Sequence, residues 1–165
     1  MKILVTGGCG HIGSKFIQSY DKHEITIVDN LSTQRYCSLF FLDRQIKFFN
    51  LDFGDLTIDY LKQFDIVVHL AAITDAPSTF KNKGSLEKTK IVKTKSFFKS
   101  CAKANCRVIF PSSTSVYGKA VDEIFEDDST ALNPQSPYAE AKISIENYLK
   151  ERDGSFTILR FGTIF

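Results

Sequence analysis

Tyr138 and Lys142 stand in a Tyr-x-x-x-Lys spacing. Residues four apart share a helix face, so a phenol and an ammonium so placed can point into one site. A free phenol has a pKa of about 10 and is a weak base at neutral pH. A neighbouring cation stabilises the phenolate and lowers that value. Such a pair can pass a proton to or from a hydroxyl group. Upstream runs Ser112-Ser113-Thr114-Ser115-Val116-Tyr117-Gly118, a stretch rich in hydroxyls. A hydroxyl there can hydrogen-bond a reacting oxygen and hold it beside Tyr138. Each feature has a plain alternative: a solvated helix face for the first, a turn satisfying its own backbone for the second. What gives them weight is the elements that carry them.

The first of those elements is Met1 to Ser14, MKILVTGGCGHIGS. Ile3, Leu4 and Val5 read as a strand buried on both faces. Gly7, Gly8, Gly10 and Gly13 follow at once, and His11 to Tyr20 reads as a helix with Ile12, Phe16 and Ile17 at helical spacing. Gly8-x-Gly10-x-x-Gly13, overlapped by Gly7-x-x-Gly10-x-x-Gly13, fits a dinucleotide fingerprint. Glycine admits the tight turn, the approach of a pyrophosphate and close helix-to-strand packing. Free N–H groups at the helix start then face the phosphates. An acidic residue is due at the end of the second strand; Ile25 to Val28 is that strand and Asp29 ends it. A glycine turn without a ligand is the competing reading, and the register of strand, helix and Asp29 argues against it.

The rest of the chain alternates strand and helix patterns. Ile46 to Asn50 is the third expected strand, followed by Leu51-Asp52-Phe53-Gly54-Asp55. Ile58 to Phe64 suits a short helix, and Ile66 to Leu70 a fourth strand ending in His69-Leu70-Ala71-Ala72. Tyr36 to Leu42 fits a short helix or a loop over the core equally well. Lys81 to Ala104 starts as a loop and becomes helical, with Leu86, Ile91, Phe97, Phe98 and Cys101 as its apolar marks. Arg107 to Phe110 is a fifth strand with Pro111 as its stop. Ser136 reads as an N-cap, with Pro137 opening a helix that runs to about Arg152. Phe156 to Phe161 is a sixth strand. The pattern predicts an α/β fold with a doubly wound parallel sheet, order 3-2-1-4-5-6, and a ligand crevice between the first and fourth strands.

The chain has 165 residues, 43% hydrophobic and 24% charged, which suits one soluble domain with a sizeable core. A net charge of +2 makes no case for nucleic acid or an acidic membrane surface. No apolar run is long enough to cross a bilayer, and the first residues enter a strand without a leader pattern, so a cytoplasmic protein is expected. Cys9, Cys37, Cys101 and Cys106 have spacings that suit neither zinc nor a disulfide framework, so reduced thiols and no metal are expected. Mostly buried, unreactive thiols are the main expectation; Cys9, beside a helix amino terminus, is the one whose setting can acidify it, as the minor alternative. His69 at a strand end reads as structural, His11 as acting through its backbone, and His23 as exposed.

Taken together, TGGCGHIGS, DNLST, LDFGD, HLAA, PSSTSVYG, SPYAEAK and LRFGTIF resemble the extended short-chain dehydrogenase/reductases, in particular the NAD-dependent sugar-nucleotide epimerases and dehydratases. The motifs run the length of the chain in that family's order. The resemblance implies a Rossmann domain with NAD as cofactor. It places Gly7, Gly10, His11, Ile12 and Gly13 on the pyrophosphate, and Asp29 and Asn30 on the adenosine ribose. Asp52, with Phe53 beside it, falls at the adenine edge, and Leu70, Ala71 and Ala72 on the nicotinamide side. It makes Ser113 and Tyr138 catalytic, with Lys142 both catalytic and on the nicotinamide ribose, and Ser115 a second hydroxyl. The implied reaction is transient hydride transfer: Tyr138 takes a proton from a sugar hydroxyl while hydride passes to NAD, and an epimerase returns it to the other face. Dehydratases carry Thr-Asp-Glu where this chain has Ser113-Thr114-Ser115, so 4,6-dehydration is not expected. Asp29 disfavours NADP, because a carboxylate repels a 2′-phosphate, while Arg35 argues for it.

Two departures stand out. The family pattern Asn-Val-x-Gly-Thr reads Lys90-Ile91-Val92-Lys93-Thr94 here, which predicts altered local packing. The family's chains continue past LRFGTIF into a smaller domain that grips the nucleotide-sugar, so residues 1–165 are expected to hold the cofactor half without that C-terminal substrate domain. The alternative function is therefore a dinucleotide-binding module without turnover. Lys81 to Lys103 holds eight lysines and Glu87 as its one acid, which reads as a solvated face or subunit contact rather than a nucleic-acid patch. By resemblance this helix and the Tyr138 helix are also where a homodimer would form.

Overall fold

Three consecutive apolar residues, Ile3, Leu4 and Val5, are all buried in β1 (Lys2–Thr6). Neighbouring strand residues face opposite ways, so β1 must be covered on both sides. The computed structural model describes residues 1–19, 22–40, 46–71, 83–119, 123–126 and 129–162. Among them β1 is central to a six-stranded sheet of order β3-β2-β1-β4-β5-β6, parallel throughout. The other strands are β2 (Glu24–Asp29), β3 (Lys47–Asn50), β4 (Ile66–His69), β5 (Arg107–Ser113) and β6 (Phe156–Phe161). The helices are α1 (His11–Ser19), α2 (Ile58–Leu61), α3 (Lys83–Lys103) and α4 (Pro137–Lys150).

The alternation along each strand sorts the core into two layers. Leu4, Val67 and Val108 face Phe97, Phe98 and Cys101 of α3 and Ile145 and Leu149 of α4. Ile3, Val5, Ile25, Ile27 and Val68 face Ile17 of α1. This is the doubly wound arrangement, and the strand order reverses at β1, between β2 and β4. Ligands of such sheets lie at that reversal, outside the carboxyl ends of the strands.

Local signals set the start of α4. Ser136 Oγ accepts the Ala139 N–H at 3.2 Å and Pro137 occupies the first turn, as the sequence predicts. Pro111, in contrast, does not stop β5, which continues through it to Ser113. The Val108 N–H bonds Ser155 on the β6 side, and that of Arg107 bonds Asp65 on the β4 side. N–H groups alternate along a strand, so the donor that proline lacks falls on the β4 side. There the pairing has already ended, at Val68 with Ile109. The absent N–H breaks no rung, and β6 pairs on to Ser113.

Smaller differences are local. α2 ends at Leu61 rather than Phe64, giving way to a turn at Lys62–Gln63 while Phe64 drops into the core. Tyr36–Leu39 is a single 3-10 turn. His23 is half-buried rather than exposed. No helix among the described residues is long and apolar enough to cross a membrane.

Candidate functional site

The glycine turn joins β1 to α1 beneath the reversal point. Gly7 has φ +73°, and a Cβ there would lie 2.5 Å from the Ala71 nitrogen. Glycine therefore lets the turn close against the end of β4. At Gly13 a Cβ would meet the Gly8 carbonyl oxygen at 2.6 Å, so α1 leaves the turn in close contact with it. The Ser14 N–H bonds the Gly10 carbonyl at 2.9 Å. The N–H groups of His11, Ile12 and Gly13 precede it, as a helix amino terminus requires. These residues fit a pyrophosphate: donors and the positive helix end gather at a turn kept free of side chains.

The residues expected on the adenosine side also lie together. The Asp29 carboxylate accepts the Cys9 N–H at 3.0 Å and the Leu31 N–H at 2.9 Å, fixing it at the end of β2. Asn30 Nδ2 donates to Asp52 Oδ2 at 3.1 Å. Leu70 lines the crevice and Ala71 abuts Gly7. Ala72 lies outside the described residues. The Phe53 ring is a core contact, 4.8 Å from the His69 ring and 5.3 Å from Phe97 between centroids.

Cys9 is not acidified. Its side chain is buried among Ile3, Val5 and Ile27. Burial, with the Asp29 carboxylate close by, pushes the thiol up to about 12. Lying at a helix amino terminus does not expose the sulfur to the helix dipole's benefit when apolar atoms surround it.

The chemical groups converge at the end of β5. Ser113 caps the 3-10 turn Thr114–Tyr117, its Oγ accepting the Ser115 N–H at 3.2 Å. It also hydrogen-bonds the Tyr138 phenol. One turn further along α4, Lys142 is 8% exposed, and its ammonium donates to the Pro111 carbonyl at 2.6 Å. It stands 4.6 Å from the Phe110 ring centroid and 5.5 Å from that of Tyr138. A cavity of about 180 Å³ is lined by Ile12, Leu70, Ser113, Tyr138 and Lys142. The glycine-turn helix and the proposed catalytic groups thus share one crevice. Ser115 supplies its N–H to Ser113 and does not line this cavity.

The electrostatics differ from expectation in one respect. Burial raises the Tyr138 phenol above its ordinary value, opposed by the Ser113 hydrogen bond, and Lys142 does not offset it. The reason is geometric: the Lys142 charge is held by the Pro111 carbonyl, beneath the ring rather than at the hydroxyl. Burial pushes Lys142 itself down to about 8, with the Glu146 carboxylate opposing.

Two groups beneath the site carry no role in the sequence reading. Glu146, 1% exposed, bonds Ser112 Oγ at 2.5 Å and Arg160 Nη2 at 2.6 Å. Arg160 Nη1 reaches the Tyr117 hydroxyl at 2.6 Å. Tyr138, Lys142 and Glu146 form a ladder of residues four apart on one helix face, a spacing that could have revealed Glu146. The other group is Lys93, whose ammonium pairs with Asp52 at 2.5 Å. The sequence marks that segment as a departure but cannot name the partner.

Known proteins bear on this geometry. UDP-N-acetyl-alpha-D-glucosaminuronate decarboxylase of Bacillus cytotoxicus is 32% identical over 131 residues, covering 77% of this chain and 41% of its own length. A solved UDP-N-acetylglucosamine 4-epimerase of Methanobrevibacter ruminantium superposes with TM-score 0.84 at 31% identity, over 96% of this chain and 54% of that one. UDP-glucuronic acid 4-epimerase of Bacillus cereus, solved with UDP-glucuronic acid and NAD, gives TM-score 0.79 at 29% identity, over 97% and 56%. The chain therefore spans about half the length of the relatives it matches. A family model described as NAD dependent epimerase/dehydratase matches residues 3–165. With Ile12 at the start of the glycine-turn helix lining one crevice with Ser113, Tyr138 and Lys142, and with that family match over residues 3–165, the chain belongs to the NAD-dependent epimerase/dehydratase family.

Proposed function

We propose that residues 1–165 form an NAD-binding domain acting on a nucleotide-sugar by transient hydride transfer, most like a sugar epimerase. One observation carries the reading: Ser113, Tyr138 and Lys142 line the same cavity as Ile12 at the start of α1. Bound NAD supplies the acceptor and donor of hydride. Gly7, Gly10, Gly13 and the N–H groups of His11 and Ile12 hold its pyrophosphate, and Asp29 and Asn30 its ribose. Ser113 holds the substrate oxygen and orients the phenol, and Tyr138 takes the proton from a sugar hydroxyl and gives it back. Lys142, cationic below about pH 8, keeps positive charge under that exchange. Sugar nucleotides are favoured as substrates because the relatives named above are a decarboxylase and epimerases of UDP-sugars. Ser113-Thr114-Ser115 offers no carboxylate for eliminating water.

Calorimetry with NAD tests the cofactor half. We expect saturable heat with the wild-type chain and at least about a tenfold loss in Gly10→Asp. A Cβ at Gly10 would stand 3.2 Å from the Gly7 oxygen, a tight contact that a small backbone shift relieves, and the added carboxylate would face the phosphates. No heat above that control overturns the reading. Incubation with UDP-glucose and with UDP-galactose tests turnover. Interconversion supports the epimerase, whereas NAD binding without it leaves a dinucleotide-binding module. A cytoplasmic location is part of the proposal, supported by four free cysteines. So is a homodimer through α3 and α4, supported by the exposure of Val92 on α3. No nucleic-acid or membrane partner is proposed.

A further inference from the structure

Asp52 caps the 3-10 turn Phe53–Asp55 at the end of β3, its Oδ1 accepting the Gly54 N–H at 2.8 Å. The same oxygen takes the Lys93 ammonium at 2.5 Å, while Oδ2 takes Asn30 Nδ2 at 3.1 Å. The Lys93 stem lies along Gly54, where any Cβ would collide with it, and its ammonium stands 5.1 Å from the Phe53 ring centroid. Burial tends to raise the Asp52 carboxyl, but the bonds from Lys93, Gly54 and Asn30 outweigh it and hold it below the ordinary value. A carboxylate has about four acceptor positions. Among the described residues three are taken, and the fourth is on Oδ2, the oxygen shared with Asn30 at the end of β2. The Leu51 N–H bonds the Asp29 carbonyl at 3.2 Å and Asn30 bonds Oδ2 itself, so this oxygen adjoins the residues expected on the adenosine ribose.

We propose that Lys93 is a positioning residue for base recognition: it fixes Asp52 through Oδ1, leaves Oδ2 as an acceptor for an exocyclic amine, and so selects a 6-amino purine over a 6-oxo purine. The inference rests on the NAD-binding reading above. A 6-oxo purine turns a carbonyl oxygen toward the carboxylate and loses the bond. Lysine achieves this from α3 because its stem is long enough to cross Gly54, which has no side chain to bar the way.

The test compares calorimetric affinities for NAD and for nicotinamide hypoxanthine dinucleotide. Wild type should prefer NAD. Lys93→Met keeps the stem on Gly54 but removes the charge, and should lower that preference about five- to tenfold, mainly by weakening NAD. Lys93→Arg should retain it. Asp52→Asn should lose it, giving a second route to the answer if the Met variant fails to fold by circular dichroism. An unchanged preference in both Lys93→Met and Asp52→Asn overturns the inference, as does equal affinity of wild type for the two dinucleotides. Tighter NAD binding in Lys93→Met also overturns it, because Lys93 would then compete with the base. Absence of NAD binding by wild type instead removes the functional reading on which the inference stands.

Discussion

Taking this protein from pH 7 to about pH 4.5 should cost about 2 to 3 kcal/mol of stability through His69 alone, and His69→Leu should abolish that share. His69 ends β4, 4% exposed, with its ring against Phe53, Phe97 and Phe98. Nδ1 lies 2.7 Å from Thr6 Oγ1, its register partner on β1. Burial, helped by the nearby Lys142 cation, pushes its pKa down to about 3 from 6.5. Between those values the unfolded chain binds a proton that the folded one refuses. Stability is therefore complete above pH 6.5 and falls as the pH drops through the window toward 3. Urea unfolding of wild type and His69→Leu at both pH values reads the difference. The variant is less stable at pH 7, because the Thr6 hydroxyl loses its partner, but its loss on acidification should be smaller by the stated amount. Asp52 and Glu146 are held below their ordinary values and lose stability over the same range in both proteins, so they cancel in the comparison. Equal pH dependence of the two would refute the assignment. The functional consequence is that the floor of the cavity carries one cation, Lys142, and not two.

Where the sequence was legible, the signal was local. Ser136-Pro137 announces the start of α4 because capping is settled within one turn. Ile3-Leu4-Val5 announces a central strand because both sides of it must be covered. Asp29 is found because the distance from β1 through α1 to the end of β2 is fixed by the unit itself. Pro111 misled because its cost depends on which neighbouring strand its missing donor would have faced, and only the sheet decides that. For Cys9 the leading expectation, a buried thiol, holds: closeness to a helix start in sequence says nothing of which way sulfur turns, and here it points into the layer beneath α1. For Tyr138 and Lys142 the spacing was right and the electrostatics were not, since Lys142 has a carbonyl to satisfy 2.6 Å away. Lys93 with Asp52 and Glu146 with Arg160 join distant segments, and no local pattern could pair them.

Replacing Arg160 with leucine should destabilise the fold by about 3 to 5 kcal/mol, the usual cost of stranding one member of a buried ion pair. Arg160 Nε lies 3.1 and 3.2 Å from the two Glu146 oxygens, and Nη2 lies 2.6 Å from Oε2. Without it Glu146 keeps Ser112 and, at 3.9 Å, the ammonium of Lys150. Arg160 also bonds the Tyr117 hydroxyl and the Glu126 carbonyl, so β6, α4 and the turn after β5 are tied at one guanidinium. The pair itself need not be strongly stabilising, because removing both charges from water costs nearly what their attraction returns. Glu146→Leu with Arg160→Leu should therefore be more stable than Arg160→Leu alone, by about 1 kcal/mol or more. Denaturant unfolding of the two single variants and the double gives the coupling directly. A loss below about 1 kcal/mol in Arg160→Leu would show that the carboxylate is solvated after all. The position of the pair explains why a charge is kept there. Ser112 is bonded to Glu146, Ser113 follows it with its hydroxyl toward Tyr138, and Pro111 precedes it with the carbonyl that Lys142 grips. Successive strand residues face opposite ways, so pinning Ser112 on the α4 side turns Ser113 toward the crevice. The double variant should then fold well yet hold Ser113 less firmly, and under the proposed function the loss would appear in turnover rather than in stability.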